Sequence, residues 1–391
     1  MWFTGRMAAD PPPSLVATHG GAQLLTLLRD ARPRSRADIA EATGWARKTV
    51  ESRLEELSSR GLVTCGEARR TGGRPSTSFR LDAAARLVLV ADLGHTHAAV
   101  ALTDLAGEVL AVEREDLDLE RGPEDVIARV TSKGRLLLER VGRARSDIAA
   151  VGIGLPSPVD SASGRALNPI GMHGWFGDDV KARIAQELPV PVHVDNDVNL
   201  MAYGEWSRVR PDARDLLFVK VATGIGAGII AGGRLQRGAT GFAGDIGHIP
   251  LPGSDRPCLC GNVGCLAETA ALRGMATSLR DRGVEVSADS DVITLVADGD
   301  ADALQVLRQS GREIGDVLVS AVGLLSPAHL VIGGPWGSGV EQLIAGVRET
   351  VYGRGFPLAT QRLTIDAART GDLAAIHGGA AMAVEASLRI G

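Results

Sequence analysis

An apolar strand, a glycine-bearing turn and a second apolar strand occur twice in this chain, over Leu87–Leu102 and again over Leu216–Ile230. In the first copy Leu87-Val88-Leu89-Val90-Ala91 runs into Asp92-Leu93-Gly94-His95-Thr96, and Ala98–Leu102 returns. In the second, Leu216–Val221 meets Thr223-Gly224-Ile225-Gly226, and Ala227–Ile230 returns. Short continuous apolar runs bounded by glycine predict buried strands. A third run, His329–Ile332, also ends in glycine, at Gly333-Gly334. Helical periods fall at Pro123–Val141, Asp178–Leu188 and Asn196–Trp206, with strands predicted at Ile148–Gly154 and Val190–Asp195. Strands alternating with helices specify an α/β architecture, and a duplicated unit specifies two lobes facing one cleft. Glycines at the strand ends let backbone come close to phosphate, although most such turns are ordinary hairpins.

At 391 residues the chain exceeds one compact core, and a composition 45% hydrophobic and 23% charged is that of globular domains. No stretch approaches the ~18 apolar residues of a membrane span, and no signal-peptide pattern opens the chain. A cytoplasmic protein with no membrane insertion is expected. Charge is unevenly spread: residues 1–86 hold 14 Lys/Arg against 9 Asp/Glu, and the remainder 28 against 38. A basic head on an acidic body predicts that the head meets a polyanion.

The head is helical and short-periodic. Residues 1–18, with Pro11-Pro12-Pro13, are expected to be a disordered lead-in. Leu24, Leu25, Leu27 and Leu28 mark a first helix, and Ser35-Arg36-Ala37-Asp38 is a capping box opening a second. After Thr43-Gly44-Trp45, a third helix places Val50, Leu54 and Leu57 inward and Arg47, Lys48, Thr49, Ser52 and Arg53 outward. Leu62-Val63-Thr64 and Ser78–Leu81 then read as a hairpin around Arg69-Arg70-Thr71-Gly72-Gly73-Arg74-Pro75, with Cys65 a small buried side chain. Helix–turn–helix plus hairpin is the layout of a winged DNA-binding domain. The third helix would lie in a major groove, with Arg69, Arg70 and Arg74 on phosphates or a minor groove. A protein-docking bundle with solvated charges is the plainer reading of the same spacing.

Three of the four cysteines fall within eight residues, in Cys258-Leu259-Cys260-Gly261-Asn262-Val263-Gly264-Cys265, and Gly247-His248 precedes them. His248, Cys258, Cys260 and Cys265 form a closed donor set suited to tetrahedral, structural Zn²⁺. Reduced cysteines together by chance, or a redox pair, are the alternatives.

These residues resemble the ROK family of sugar kinases and sugar-responsive repressors. The likeness rests on Thr223 through Gly226, Gly238, Gly241, Gly247-His248, and Cys258-x-Cys260-Gly261-x-x-Gly264-Cys265 with Glu268. It covers about residues 80–391, and Gly72-Gly73-Arg74-Pro75 matches the wing of the repressor branch. The resemblance implies an actin/hexokinase-like fold of two ribonuclease-H-like lobes behind a winged helix-turn-helix. The domains would be 1–18, 19–82 and 83–391, the lobes being about 83–195 with the C-terminal helix and 196–375.

It further implies a monosaccharide effector held by Asn196, Asp197, Asp245, His248 and Glu268. Asp197 matches the catalytic position of the kinases, a carboxylate able to take the proton of a sugar hydroxyl. Taken alone, Asp197 reads first as a helix cap, and Glu268 equally as an acid stabilising a helix N-terminus. Asn168 and Trp175 lie in a loop resembling one that closes a sugar pocket. Asp92, Gly94 and Thr96 match a first phosphate turn, and Thr223, Gly224 and Gly226 a second. ATP and Mg²⁺ are expected only if kinase activity is retained. Against retention, His95 stands where the kinase pattern has a second glycine, Ala222 where the second turn usually begins with glycine, and Asp245 where Glu is usual. The expected function is a sugar-responsive transcriptional repressor on double-stranded operator DNA, acting as a homodimer or homotetramer. The rival is an ATP-dependent sugar kinase with a regulatory head.

Overall fold

The computed structural model describes residues 15–30, 32–66, 77–167, 170 and 172–388. Helix α1 (His19–Leu28) is capped by Thr18, whose hydroxyl accepts the Gly21 N–H at 2.9 Å. After the two-residue strand β1 (Arg34–Ser35), α2 (Arg36–Thr43) opens on the complete Ser35–Asp38 capping box and stops at Gly44 in the left-handed region. Helix α3 (Arg47–Ser59) buries Val50, Leu54 and Leu57, one stripe at helical spacing. Strands β2 (Val63–Gly66) and β3 (Ser78–Leu81) pair antiparallel, and β1 adds to β3 to make a small sheet.

Two expectations for the head are corrected. The lead-in does not extend to residue 18: Leu15 and Val16 are buried, and Ala17 and Thr18 donate their N–H groups to Glu56. Cys65 is exposed, because the buried face of β2 ends at Val63. The arginine-rich tip, with Arg69, Arg70 and Arg74, lies outside the described residues.

The body begins with β4 (Leu87–Leu93), β5 (His97–Asp104) and β6 (Val109–Asp116), followed by α4 (Pro123–Arg140) and β7 (Ile148–Leu155). A small ribbon, β8 (Val159–Asp160) and β9 (Arg165–Ala166), leads to α5 (Val180–Glu187), β10 (Val192–Asn196) and α6 (Asp197–Val209). The first sheet has the order β10-β7-β4-β5-β6. Its inner strands β4, β5 and β7 are apolar on both sides because both faces are covered there. Leu87, Leu89, Ala91 and Leu93 pack with α4 and α5, while Val88 and Val90 face the other way.

The second copy supplies β11 (Leu216–Val221), β12 (Ile225–Ala231) and β13 (Arg234–Gln236). Helices α7 (Leu266–Ala270), α8 (Leu272–Arg280), α9 (Asp291–Ala297) and α10 (Ala301–Leu325) follow, then β14 (His329–Gly333), α11 (Val340–Arg354), α12 (Pro357–Thr360) and β15 (Thr364–Ala367). This sheet runs β13-β12-β11-β14-β15. The last helix, α13 (Ala374–Ser387), returns to pack on β4, β7 and α6. Its Ile376, Ala380, Ala383 and Val384 join Val88 and Val90 in one apolar cluster that continues into Leu24, Leu28 and Leu54 of the head. Head and first lobe therefore share a core. No helix among the described residues is long and apolar enough to cross a membrane.

Candidate functional site

A cavity of about 610 Å³ opens between the lobes, lined by both glycine turns, the start of α6 and the loop before α7. Its volume suits a small polar ligand. Gly94, His95 and Thr96 of the first turn face it, as do Ala222, Thr223, Gly224 and Gly226 of the second.

The α6 end is built by capping. Asn196 is the N-cap, its Oδ1 accepts the Val198 N–H at 2.9 Å, and the residue lines the cavity. Asp197 is thus the first helical residue and not the cap, and it is buried at the cavity wall. Behind them Asp195 accepts from Arg237 Nε at 2.8 Å and Asn199 Nδ2 at 2.8 Å. Burial opposes charge on Asp195, but His193 and Arg237 outweigh it and hold the carboxyl below its usual range. Asn199 lines the cavity too, and its buried Oδ1 has no hydrogen-bond partner. An acceptor left this way is completed by a ligand hydroxyl or by water.

The opposite wall is the loop 237–265. Gly244 has φ +97, and a Cβ there would collide with the Ala227 carbonyl, so only glycine lets this loop lie flat on β12. That contact sets Asp245 and His248 against the cavity. Glu268, in the short helix α7, is buried beside them and paired with Arg273, while Arg256 donates to its backbone carbonyl at 3.1 Å.

His248, Cys258, Cys260 and Cys265 converge, their ligand atoms all within 4.8 Å of one another. Cys258 Sγ is 3.5 Å from His248 Nδ1, and Cys260 Sγ is 3.6 Å from Cys265 Sγ. With Zn–S near ~2.3 Å, a tetrahedral ion sets neighbouring sulfurs roughly 3.8 Å apart, so both the donors and their spacing fit a metal. Because Nδ1 faces the thiols, Nε2 is the ring nitrogen left for a ligand in the cavity. Leu251 N–H to Gly264 and Leu266 N–H to Ile249 tie the loop's two strands together around the cluster.

The cavity floor holds a residue that sequence reasoning missed. Lys220, on β11, pairs with Asp197. Asp92, half-buried on β4, lies beside Asp197. Burial first, then the neighbouring Asp197, pushes its carboxyl up to about 6 against the pull of Lys220. Burial also lowers the pKa values of His95 and His97.

Other expected residues lie elsewhere. Trp175 is wholly buried and donates its indole N–H to Leu119 O at 2.9 Å; it is a core residue and does not close the pocket. Asn168 lies outside the described residues. In the head, Arg47, Lys48, Thr49 and Ser52 are exposed on one end of α3. Arg53 departs from them: its guanidinium turns back to Thr18 at 3.1 Å and Glu56 at 3.3 Å, where it helps tie down the start of α1.

A xylose repressor of Caldicellulosiruptor bescii is 25% identical over 380 residues, taking in 92% of this chain and 94% of that protein. The DNA-binding transcriptional dual regulator NagC of Escherichia coli K12 is 28% identical over 333 residues, 82% of this chain and 81% of that one. Among solved structures, a ROK family transcriptional regulator, homolog of the E. coli MLC protein, matches in fold with a TM-score of 0.81. That match is at 24% identity and covers 95% of this chain and 98% of the other. A ROK family glucokinase from Streptomyces griseus, in complex with glucose and AMPPNP, matches with a TM-score of 0.67 at 25% identity. It covers 76% of this chain and 99% of its own. The description of the ROK family fits residues 88–386, and the chain belongs to that family.

Proposed function

We propose that this chain is a sugar-responsive transcriptional repressor, whose body binds a monosaccharide and whose head binds operator DNA. The observation that carries the reading is coverage: the repressor relative spans the head as well as the body, 92% of the chain, whereas the glucokinase spans 76%. The cavity supports the sensing half. Asn196, Asp197, Asp245, His248 and Glu268, with Asn199 added, are convergent polar groups around a space with ample room for a monosaccharide. A Zn²⁺ held by His248, Cys258, Cys260 and Cys265 would fix the loop that presents Asp245 and His248. The kinase reading has weaker support, since His95 and Ala222 restrict the backbone of the two phosphate turns.

The cavity and the head have a physical link. Helix α6 starts at the sugar-binding candidates and carries Tyr203 two turns on, where its hydroxyl bonds Glu385 of α13. Glu385 in turn pairs with Arg29, at the end of α1, at 3.5 Å. A shift of α6 on sugar binding would be felt by the head through these groups. Two heads on a symmetric dimer or tetramer would read a pseudo-palindrome.

Gel shifts on DNA upstream of the protein's own gene, with and without a monosaccharide panel, test the reading. Because the head shares a core with α13, point variants are cleaner than truncation. Arg47→Ala should cost about 1–3 kcal/mol of operator binding and relax one base position, while Arg74→Ala should lower the salt slope by about 1 across all sequences. Arg53→Ala should destabilise the head without relaxing specificity. Operator binding unchanged by both Arg47→Ala and Lys48→Ala would overturn the winged-helix assignment.

A further inference from the structure

Lys220 and Asp92 occupy matching positions in the two lobes. Asp92 stands opposite Gly154 on the parallel neighbour of β4, and Lys220 stands opposite Gly333 on the parallel neighbour of β11. At this matched position the two lobes thus carry opposite charges, Lys220 at the cavity wall and Asp92 behind it. Asp197 completes the group: a Cβ built on Gly154 would lie 3.4 Å from Asp92 Oδ1 and 3.4 Å from the Asp197 Cα, so both acids sit over that one glycine. Lys220 Nζ bonds Asp197 Oδ2.

We infer that Lys220 is an internal counter-ion to Asp197 and its neighbour Asp92, supplying in place the positive charge that a phosphoryl-transfer site takes from a divalent cation, so that the cavity takes an uncharged polyol without a nucleotide. The inference rests on the sugar-binding reading of this cavity and names its ligand class. Phosphoryl transfer needs a metal bridging the phosphates and a base free to take the hydroxyl proton. An ammonium on Asp197 opposes both: it repels a second cation, and it holds one of the oxygens that would accept the proton. Asp197 Oδ1 remains able to accept a sugar hydroxyl without taking its proton. The two acids raise the Lys220 pKa in spite of its burial, which keeps the ammonium charged. With both acids ionised the group carries one net negative charge; without Lys220 it would carry two, the arrangement that attracts Mg²⁺.

The test is thermal melting of the full chain in MgCl₂, for wild type and for Lys220→Met. The wild type should show no Mg²⁺-dependent shift, and Lys220→Met should gain one of roughly 2 °C at ten times the dissociation constant. Asp92→Asn added to Lys220→Met should abolish the gain. A wild type that responds to Mg²⁺ as strongly as Lys220→Met, or a folded Lys220→Met that does not respond, would overturn the proposal. If Lys220→Met does not fold, Lys220→Met/Asp197→Asn decides. Recovery of folding once the unpaired acid is neutralised supports a counter-ion role, and continued failure overturns it. Sugar-induced shifts of the wild type without added Mg²⁺ keep the two readings apart. Their presence upholds the sensor whatever Mg²⁺ does, and their absence would break the sensor reading while leaving the Mg²⁺ result to stand alone.

Discussion

The two sheets of the body share one strand order, β6-β5-β4-β7-β10 in the first lobe and β13-β12-β11-β14-β15 in the second. They share the pairing sense as well: two successive antiparallel pairings on one side of the central strand and two parallel ones on the other. What they carry differs. The first sheet is closed by α4 and α5 on one face and by α13 with the head on the other. The second sends out the loop 237–265, of which Ile246 and Leu251 join the core of that lobe and which converges on four side chains that could hold a metal. At the matched strand position one lobe has an acid and the other a base. The fold is therefore set by what repeats, and the chemistry by what does not.

The largest break in that comparison should come from the unrepeated loop. Cys260→Ser removes one of four donors from a segment whose order depends on them; structural zinc sites contribute about 10–16 kcal/mol of apparent binding energy. Expected are loss of zinc by elemental analysis and loss of sugar-induced stabilisation together, with the first lobe still folded by circular dichroism. Freshly purified wild type without zinc would remove the basis for this.

The matched pair comes next. The folded pKa of Asp92, about 6, stands above its ordinary value of 3.8. Its ionised form is therefore disfavoured by folding: the penalty is absent below pH 3.8, grows as the pH rises towards about 6, and is complete above that, at roughly 3 kcal/mol. Asp92→Asn should flatten this part of the stability profile, read by urea unfolding between pH 4 and 7. An unchanged slope would show that Asp92 is not desolvated as described. Asp197→Ala should weaken sugar binding by about 1.5–3 kcal/mol through a lost charged hydrogen bond, measured by calorimetry. Wild-type affinity in that variant would remove Asp197 from the site.

The repeated part of the molecule was legible in the sequence because it is written in apolar runs. Leu216–Val221 was predicted to the residue, and Leu87–Leu93, Ile148–Leu155 and His329–Gly333 nearly so, since each is buried on both faces. Strand β6 was not read: Val109–Asp116 alternates weakly and ends in charge because it is an edge. Strands β13 and β15 are short edges of the same kind. The convergence of His248, Cys258, Cys260 and Cys265 was legible because three of the four are close in sequence. Lys220 was not, because a lone lysine in a strand gives no sign of a partner on the neighbouring helix α6, and its meaning lies in the Asp197 contact. Arg53 misled for the reverse reason. Its helical position points outward with Arg47 and Ser52, but a long side chain can turn back, and Glu56 one turn along gave it a reason to.

The smallest expected effect sharpens the comparison at the turns themselves. Gly94 opens the first reversal, directly after β4, and Gly224 closes the second, directly before β12; neither has a positive φ, so neither is glycine for the sake of a left-handed backbone. Their surroundings differ. The His97 ring lies over Gly94, where a Cβ would collide with it, while nothing stands within 4 Å of a Cβ at Gly224. Gly94→Ala should then cost about 1 kcal/mol as the ring is pushed aside. Gly224→Ala should be neutral or stabilise by about 0.4–1 kcal/mol through the unfolded chain. The two should part further in ligand binding. If the open space over Gly224 is used by ligand, alanine there weakens binding while leaving the melting temperature alone; if it is not, both properties stay at the wild-type value. Denaturant unfolding of the two variants, followed by sugar titration, reads all of these, and equal destabilisation at both positions would show the turns to be alike after all.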